Sequence, residues 1–545
     1  MGYVCMHGHF YQPPRENPWL GAVPPEDSAA PYHDWNERVT AECYGPNAAA
    51  SILDGDGGVA RIVNNYARMS FDFGPTLLAW LERAAPAVYE AILAADRESQ
   101  RRFSGHGSAM AQAYNHMILP LANRRDKYTQ VSWGIRDFEF RFGRFPEGMW
   151  LPETAVDLET LETLAELGIR FTILAPHQAR RVRRVGSRTW REVAGGAIDP
   201  TMAYEARLPS GRSIGVFFYD GPISLAVALE GLLTNGEAFA HRMLGAFWEE
   251  RAWPELVHIA TDGETYGHHH RFGEMALAYA LDYIESRGLA EITNYGEFLE
   301  RHPPAYVVEI AENTSWSCAH GVERWRGNCG CNSGNNPGWD QAWRAPFREA
   351  LDWLRETLAP CYEAAASWFF SDPWEARNQY IEIILSRSAE SHERFFERHA
   401  IRRLSPPERR TALDLLELQR HAMLMYTSCG WFFDELSGPE TVQVMRSAGR
   451  VVQSAGELWG EGLEAEFLER LERARSNLPE FRDGRGVYER LVRVNAPVNG
   501  ACLTGKLDLQ VQALRDICEK RSAWEAPLEQ ALVVLSRRAG AADFR

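Results

Sequence analysis

Leu256-Val257-His258-Ile259-Ala260-Thr261-Asp262-Gly263-Glu264-Thr265-Tyr266-Gly267-His268 is a short apolar run that stops at an acid-bearing turn. About a hundred residues earlier, Met149-Trp150-Leu151-Pro152-Glu153 has the same form. In both, a carboxylate stands where a strand ends and a turn begins. Working outward, Tyr3-Val4-Cys5-Met6, Arg170-Phe171-Thr172-Ile173-Leu174 and Ile214-Gly215-Val216-Phe217-Phe218-Tyr219 repeat the apolar run. Helical patterns lie between them, such as Thr154 to Leu167, closed by Gly168. Strand and helix alternating as far as about Leu299 argue for a parallel sheet and, at this length, for an α/β fold of the β/α barrel type. The acidic candidates fall at strand ends, where such barrels carry their sites.

Beyond the glycine- and asparagine-rich stretch 327–338 the pattern changes. Segments 346–358, 375–386, 407–426, 442–458 and 464–475 place apolar residues three and four apart with charged faces between, which predicts an all-helical C-terminal domain. A chain of 545 residues exceeds the roughly 250–300 that one hydrophobic core serves. The expected division is 1–320 for the barrel and 321–545 for the helical domain.

Composition narrows the function classes. Hydrophobic residues at 45% and charged residues at 24% fit a soluble globular protein. The 74 acidic against 58 basic residues leave a net charge of −16, which argues against nucleic acid or an anionic membrane as partner. The Arg180, Arg181, Arg183, Arg184 cluster reads as a solvated face. No run of about 18 apolar residues occurs and Met1 to His7 has no signal-peptide form, so a cytoplasmic protein is expected. Nine cysteines, an odd number, read mostly as reduced core residues.

Two facing carboxylates are what glycosidic-bond chemistry requires, and Glu153 and Asp262 are the candidates. Each has a plainer reading: Glu153 as an acid in the first turn of a helix, Asp262 as a turn former beside Gly263. Glu264, two residues on, either supplies the negative charge that keeps Asp262 protonated or is itself the acid. His7 and His9 are two apart on a strand and so project to one side. His106 lies between glycines that allow close approach to a ligand. Asp220 follows a strand and either forms the turn or binds substrate. One of His268, His269 and His270 is expected to face the site, with His268 the choice. Trp316 and Trp325, in irregular sequence, are candidate sugar platforms, Trp343 and Trp353 belong to a helix core, and Trp431 is placed to reach the cleft from the second domain. Cys318, His320, Cys329 and Cys331 offer four ligands for a structural zinc; reduced thiols and a reversible disulfide are the competing readings.

These residues carry a resemblance. His7-Gly8-His9-Phe10-Tyr11-Gln12-Pro13, Tyr114-Asn115-His116-Met117-Ile118-Leu119-Pro120-Leu121, Trp150-Leu151-Pro152-Glu153 and Thr261-Asp262-Gly263-Glu264-Thr265-Tyr266-Gly267-His268-His269 resemble, in order, the first four sequence regions of glycoside hydrolase family 57. The resemblance implies a distorted (β/α)7 barrel and a retaining mechanism on α-linked oligo- or polysaccharides without a catalytic cofactor. Glu153 is then the nucleophile and Asp262 the general acid/base, with His7, His9 and His116 lining the donor sugar subsite; Trp150 is a further candidate for substrate binding. The fifth region, Asn313-Thr314-Ser315-Trp316-Ser317-Cys318-Ala319-His320-Gly321, departs from the family pattern, which leaves product and acceptor open. Segment 426–434 resembles an uncharacterised C-terminal domain found in one branch of the family. Two rival functions remain: a metal-dependent carbohydrate deacetylase using His7, His9 and Asp262, and a silent carbohydrate-binding barrel.

Overall fold

The computed structural model describes residues 2–460 and 462–493. Among these, residues 2–16 with 23–323 form one compact unit, and residues 17–22 with 324–460 and 462–493 the other. The strands that build the first unit are β1 Gly2–Phe10, β2 Ser70–Phe73, β3 Ala109–Gln112, β4 Met149–Trp150, β5 Phe171–Leu174, β6 Ala203–Arg207, β7 Ser213–Phe218, β8 Glu255–Asp262 and β9 Tyr306–Ile310. Hydrogen bonding runs β8-β1-β2-β3-β4, all parallel. A parallel bridge between Gly148 and Phe171 leads to β5, which pairs in parallel with β7. The Asp220 N–H, just past β7, donates to the His258 carbonyl of β8 at 2.8 Å and joins the two ends of the row. The result is a distorted (β/α)7 barrel, with antiparallel β6 and then β9 leading away from β7 as the distortion.

Alternation along β1 explains how the barrel is filled. Val4, Met6 and Phe10 pack outward into the large cluster shared with the surrounding helices. Tyr3 and Cys5 face inward, against Met110, Trp150, Phe171, Phe217, Leu256 and Tyr295. Each such large side chain contributes about 1.5–3 kcal/mol on burial, so the interior is a packed plug rather than a channel. His7 and His9 continue the inward-facing series toward the C-terminal ends of the strands, where the plug gives way to polar groups.

The helix after β4 begins later than its sequence pattern suggests. It spans Leu158–Glu166 (α1) instead of starting at Thr154, because Glu153 and Thr154 both take left-handed φ values, 58° and 50°. Asp157 caps it by accepting the Thr160 N–H at 2.7 Å, and Gly168 turns the chain at φ 88°.

The second unit is helical: α3 Arg344–Ala366, α4 Pro406–Leu424 and α5 Pro439–Trp459 are its longest described elements, α2 being Gly221–Leu229 of the first unit. The loop 17–22 belongs with it, and Trp19 Nε1 donates to Gln453 Oε1 of α5 at 2.5 Å. The remainder of the expected helical domain, 494–545, lies outside the described residues. Cys5 and Cys43 are buried thiols, and Cys361 is disulfide-bonded. No helix among the described residues is long and apolar enough to cross a membrane.

Candidate active site

Register across three adjacent strands sets one half of the site. In β8-β1-β2, Asp262 pairs with His9 and His9 with Asp72, so the three side chains stand at one level on one face. The Asp72 carboxylate is fully buried and accepts from both histidines, with His7 Nε2 on Oδ1 at 3.0 Å and His9 Nδ1 on Oδ2 at 2.8 Å. His7 Nδ1 also bonds Ser70 Oγ at 3.1 Å, and His9 Nε2 bonds His116 Nε2 at 3.2 Å. Burial alone would drive His9 toward the neutral form, but the charge and hydrogen bond of Asp72, with Asp262 and Glu264 nearby, push its pKa up to about 9. His9 is therefore an imidazolium donating from both nitrogens. His116 must accept, and burial together with the His9 charge lowers its pKa accordingly. His116 sits at φ 53°, its ring stacked on Tyr11 with centroids 3.8 Å apart. Trp150 lies over both histidines, 4.8 Å from His7 and 5.0 Å from His9.

Glu153 approaches from the other side of the mouth. Its carbonyl accepts the Trp316 N–H at 3.0 Å, and its Oε2 receives two donors, Trp316 Nε1 at 3.0 Å and Ser317 Oγ at 2.5 Å. Two consecutive non-glycine residues in the left-handed region cost on the order of 1–3 kcal/mol each, and the segment 313–317 holds them there. Val156 and Thr314 share a backbone hydrogen bond of 3.0 Å, Asn313 and Val156 one of 2.8 Å.

Asp262 and Glu264, two residues apart, have opposite environments. Asp262 is surrounded by protein yet open to solvent, as the floor of a cleft is. Desolvation raises its pKa to about 6; the His9 charge opposes this, and the charges of Glu153 and Asp72 add to it. Glu264 is buried, its Oε1 accepting from Tyr44 Oη at 2.6 Å and from the Tyr11 N–H at 3.0 Å. Desolvation, then the Asp262 charge, outweigh those bonds and raise it to about 7. Between the two, Gly263 passes so close to Phe10 that a Cβ would lie 2.2 Å from the ring. Asp262 is thus the acid open to a ligand, and Glu264 the buried charge behind it.

The structure adds two residues to the cluster. Asp72 is a lone charge in Ser70-Phe71-Asp72-Phe73, and an acid inside a buried strand was the available signal. Tyr219, whose pKa is raised by burial and by Asp262, stands 6.3 Å from the Trp316 ring.

Other expected residues lie elsewhere. His106 is not in the cluster: it precedes β3, at the N-terminal end of the strands, where Nδ1 bonds Glu147 at 2.9 Å and Nε2 pairs with Glu300 at 2.9 Å. Its flanking Gly105, at φ 97°, serves that turn. Asp220 is at the mouth end but caps α2, accepting the Ile223 N–H at 2.9 Å. His268 is held by Glu42 Oε2 at 2.5 Å and faces Trp35 edge-on. Trp325 is fully buried with Nε1 on the Ser428 carbonyl, not a platform. Trp431 is likewise fully buried in the helical unit, 5.2 Å from Phe347 and donating to the Arg344 carbonyl at 3.3 Å, so its helical context fills the core instead of reaching a cleft. The ring nitrogens of His7 and His9 are engaged by Ser70, Asp72 and His116.

Comparison with known proteins bears on both units. Residues 64–311 match glycosyl hydrolase family 57, and residues 339–499 match a domain of unknown function, DUF3536. The match to glycosyl hydrolase family 57 falls within the first unit. Over 102 residues it is 28% identical to alpha-amylase 1 of Dictyoglomus thermophilum, a match covering 19% of this chain and 14% of that protein. In fold it is similar to an exo-type maltose-forming amylase from Pyrococcus sp. ST04 (TM-score 0.63, 16% identity, 90% of this chain and 92% of that one). It is also similar to a branching enzyme from Pyrococcus horikoshii (TM-score 0.51, 17% identity, 90% and 94% covered).

Proposed function

We propose that this protein is a retaining glycoside hydrolase or transglycosylase acting on α-linked glucans through a covalent glycosyl-enzyme intermediate. The observation that carries the reading is the unequal pair of carboxyls at the mouth: Glu153 oriented by two donors on one oxygen, and Asp262 raised by desolvation and by the Glu153 charge. With Oε2 held by Trp316 and Ser317, Oε1 of Glu153 is turned for attack on the anomeric carbon. Asp262, protonated below about pH 6, gives its proton to the leaving oxygen and then, as carboxylate, takes one from the water or sugar hydroxyl that releases the glycosyl group. His9 as imidazolium and neutral His7 and His116 supply fixed polar groups beside the donor sugar, with Trp150 behind them as a rigid support. A sugar acceptor gives transfer and water gives hydrolysis from the same intermediate.

The test is intact-mass detection of a trapped glycosyl-enzyme, using wild type and Asp262→Ala with a panel of α-glycosyl fluorides. A sugar-sized adduct mapping to Glu153 is expected, accumulating in the variant because its release lacks a base. A folded protein that forms no adduct with any donor, or forms it on another residue, overturns the assignment.

A further inference from the structure

We infer that Tyr44 is a positioning residue for the general acid: with Cys43 and Asn47 it clamps the loop 262–268 from behind and acts on Asp262 through Glu264. What the acid does there rests on the glycosidase reading; the clamp does not.

The clamp is a helical segment with one widened turn. Trp35–Val39 and Gly45–Ala48 are α-helical, and Thr40–Tyr44 between them is π-helical. Single π turns inside α-helices recur at functional sites. Here Cys43, Tyr44 and Asn47 are all buried, and all three bond to the same loop. The Cys43 thiol lies 3.4 Å from the carbonyl oxygens of both Gly263 and Tyr266. Asn47 Nδ2 donates to the Tyr266 carbonyl at 2.7 Å, and Tyr44 Oη donates to Glu264 Oε1 at 2.6 Å. The backbones meet as well. Gly267, at φ 139°, comes so close that a Cβ there would lie 2.4 Å from the Glu42 carbonyl oxygen, while the Glu42 carboxylate holds His268. The clamp is itself anchored: Tyr66 Oη donates to the Tyr44 carbonyl at 3.1 Å, and Asn65 Nδ2 reaches both Asn47 Oδ1 and the Glu274 carbonyl at 2.9 Å.

Asp262 faces the open cleft, so the backbone on either side of it sets its position. Up to Asp262 the chain is fixed by the register of β8 with β1. Beyond it, the Gly263 carbonyl accepts from Cys43, and Glu264 is tied both to Tyr44 and to the Tyr11 N–H just past β1. Removing the Tyr44 hydroxyl frees one side of the Glu264 carboxylate and lets the loop move against β1. A misplacement of about 1 Å at a reacting group costs on the order of a hundredfold in rate. The loss has a signature that weakened packing lacks. A departing sugar needs the proton of Asp262, whereas fluoride, a far weaker base, leaves almost without it.

The test compares kcat/KM of wild type and Tyr44→Phe on a malto-oligosaccharide and on α-glucosyl fluoride. The variant is expected to lose about ten- to a hundredfold on the oligosaccharide and less than about threefold on the fluoride. Equal losses on both, or none on either, overturn the positioning role. On the oligosaccharide the penalties of Tyr44→Phe and Glu264→Met should not add, since the first residue acts through the second; full additivity overturns that route. Glu42→Ala, at the partly exposed edge of the clamp, keeps the test open if Tyr44→Phe does not fold. It should show the same selective loss, about threefold or more on the oligosaccharide, and an unselective loss or none overturns the clamp. Amide hydrogen exchange needs no turnover: at 263–267 it should quicken about tenfold or more in Tyr44→Phe, with β1 and β8 unaffected, and unchanged exchange overturns the clamp. A wild type that turns over neither donor, with the exchange result as expected, defeats the glycosidase reading and leaves the clamp standing, so the two failures are seen separately.

Discussion

His7-Gly8-His9 and Gly105-His106-Gly107 look alike: histidine beside glycine, in or next to a buried strand, with carboxylates close by. The structure gives them opposite employment. His9 is near the C-terminal end of β1, between Asp72 and the open Asp262. His106 comes before β3 begins and ties Glu147 to Glu300 at the other end of the strands. At one end the carboxylates face a cleft and have perturbed proton affinities; at the other the same residue types stitch neighbouring segments. Strand direction, rather than residue type, separates the two, as the general placement of sites in β/α barrels requires.

Substitutions at the two ends can break this contrast. The largest effect is expected from Glu153→Gln, which should lower kcat on an α-glycosyl fluoride by about four orders of magnitude or more while leaving the thermal midpoint little changed. A loss below tenfold would remove Glu153 from the chemistry. Asp72→Asn comes next, with a fall in kcat/KM of about a hundredfold and a shifted pH profile. In wild type the productive, protonated Asp262 is lost as pH rises through about 6. Without Asp72, His9 gives up its charge more readily, its lowering influence on Asp262 fades, and this outweighs the smaller raising influence that Asp72 itself had. The basic limb therefore moves to higher pH; a reduced but unmoved profile would reduce Asp72 to a packing role. The smallest change in activity is expected from His106→Ala, within about twofold, because it touches nothing at the cleft. It should instead lower stability by about 1–3 kcal/mol, read by thermal or denaturant unfolding, since Glu147 loses a buried partner. A tenfold loss of activity in a stably folded His106→Ala would collapse the distinction between the two ends.

What could be read in the sequence follows the same division. Apolar runs located β5, β7 and β8 and the interior of β1 because strands buried on both faces need them. The acids closing β8 and following β4 are conspicuous because each stands where an apolar run meets a turn. Asp72 was hidden by the shortness of β2, whose four residues are too few for a period to declare itself. Asp220 was singled out and its neighbour Tyr219 passed over, since an acid before Gly-Pro is conspicuous even when its work is to cap a helix. Glycine beside His106 or Trp431 signals freedom of the backbone but not which end of a strand, or which side of a helix, the neighbour will occupy. Nor could spacing announce that Glu153 and Thr154 would be left-handed, because that conformation is imposed by the segment 313–317 from more than 150 residues away.

That pair of left-handed residues also bears on how the chain can change over generations. A domain is held by only about 5–15 kcal/mol, and two such residues consume a noticeable fraction of it before any mutation arrives. The neighbourhood of Glu153 is therefore where drift is least tolerated. Variation that would pass unnoticed on an outer helix meets a smaller stability margin there, and new specificities are more readily explored in loops that do not bear on this turn.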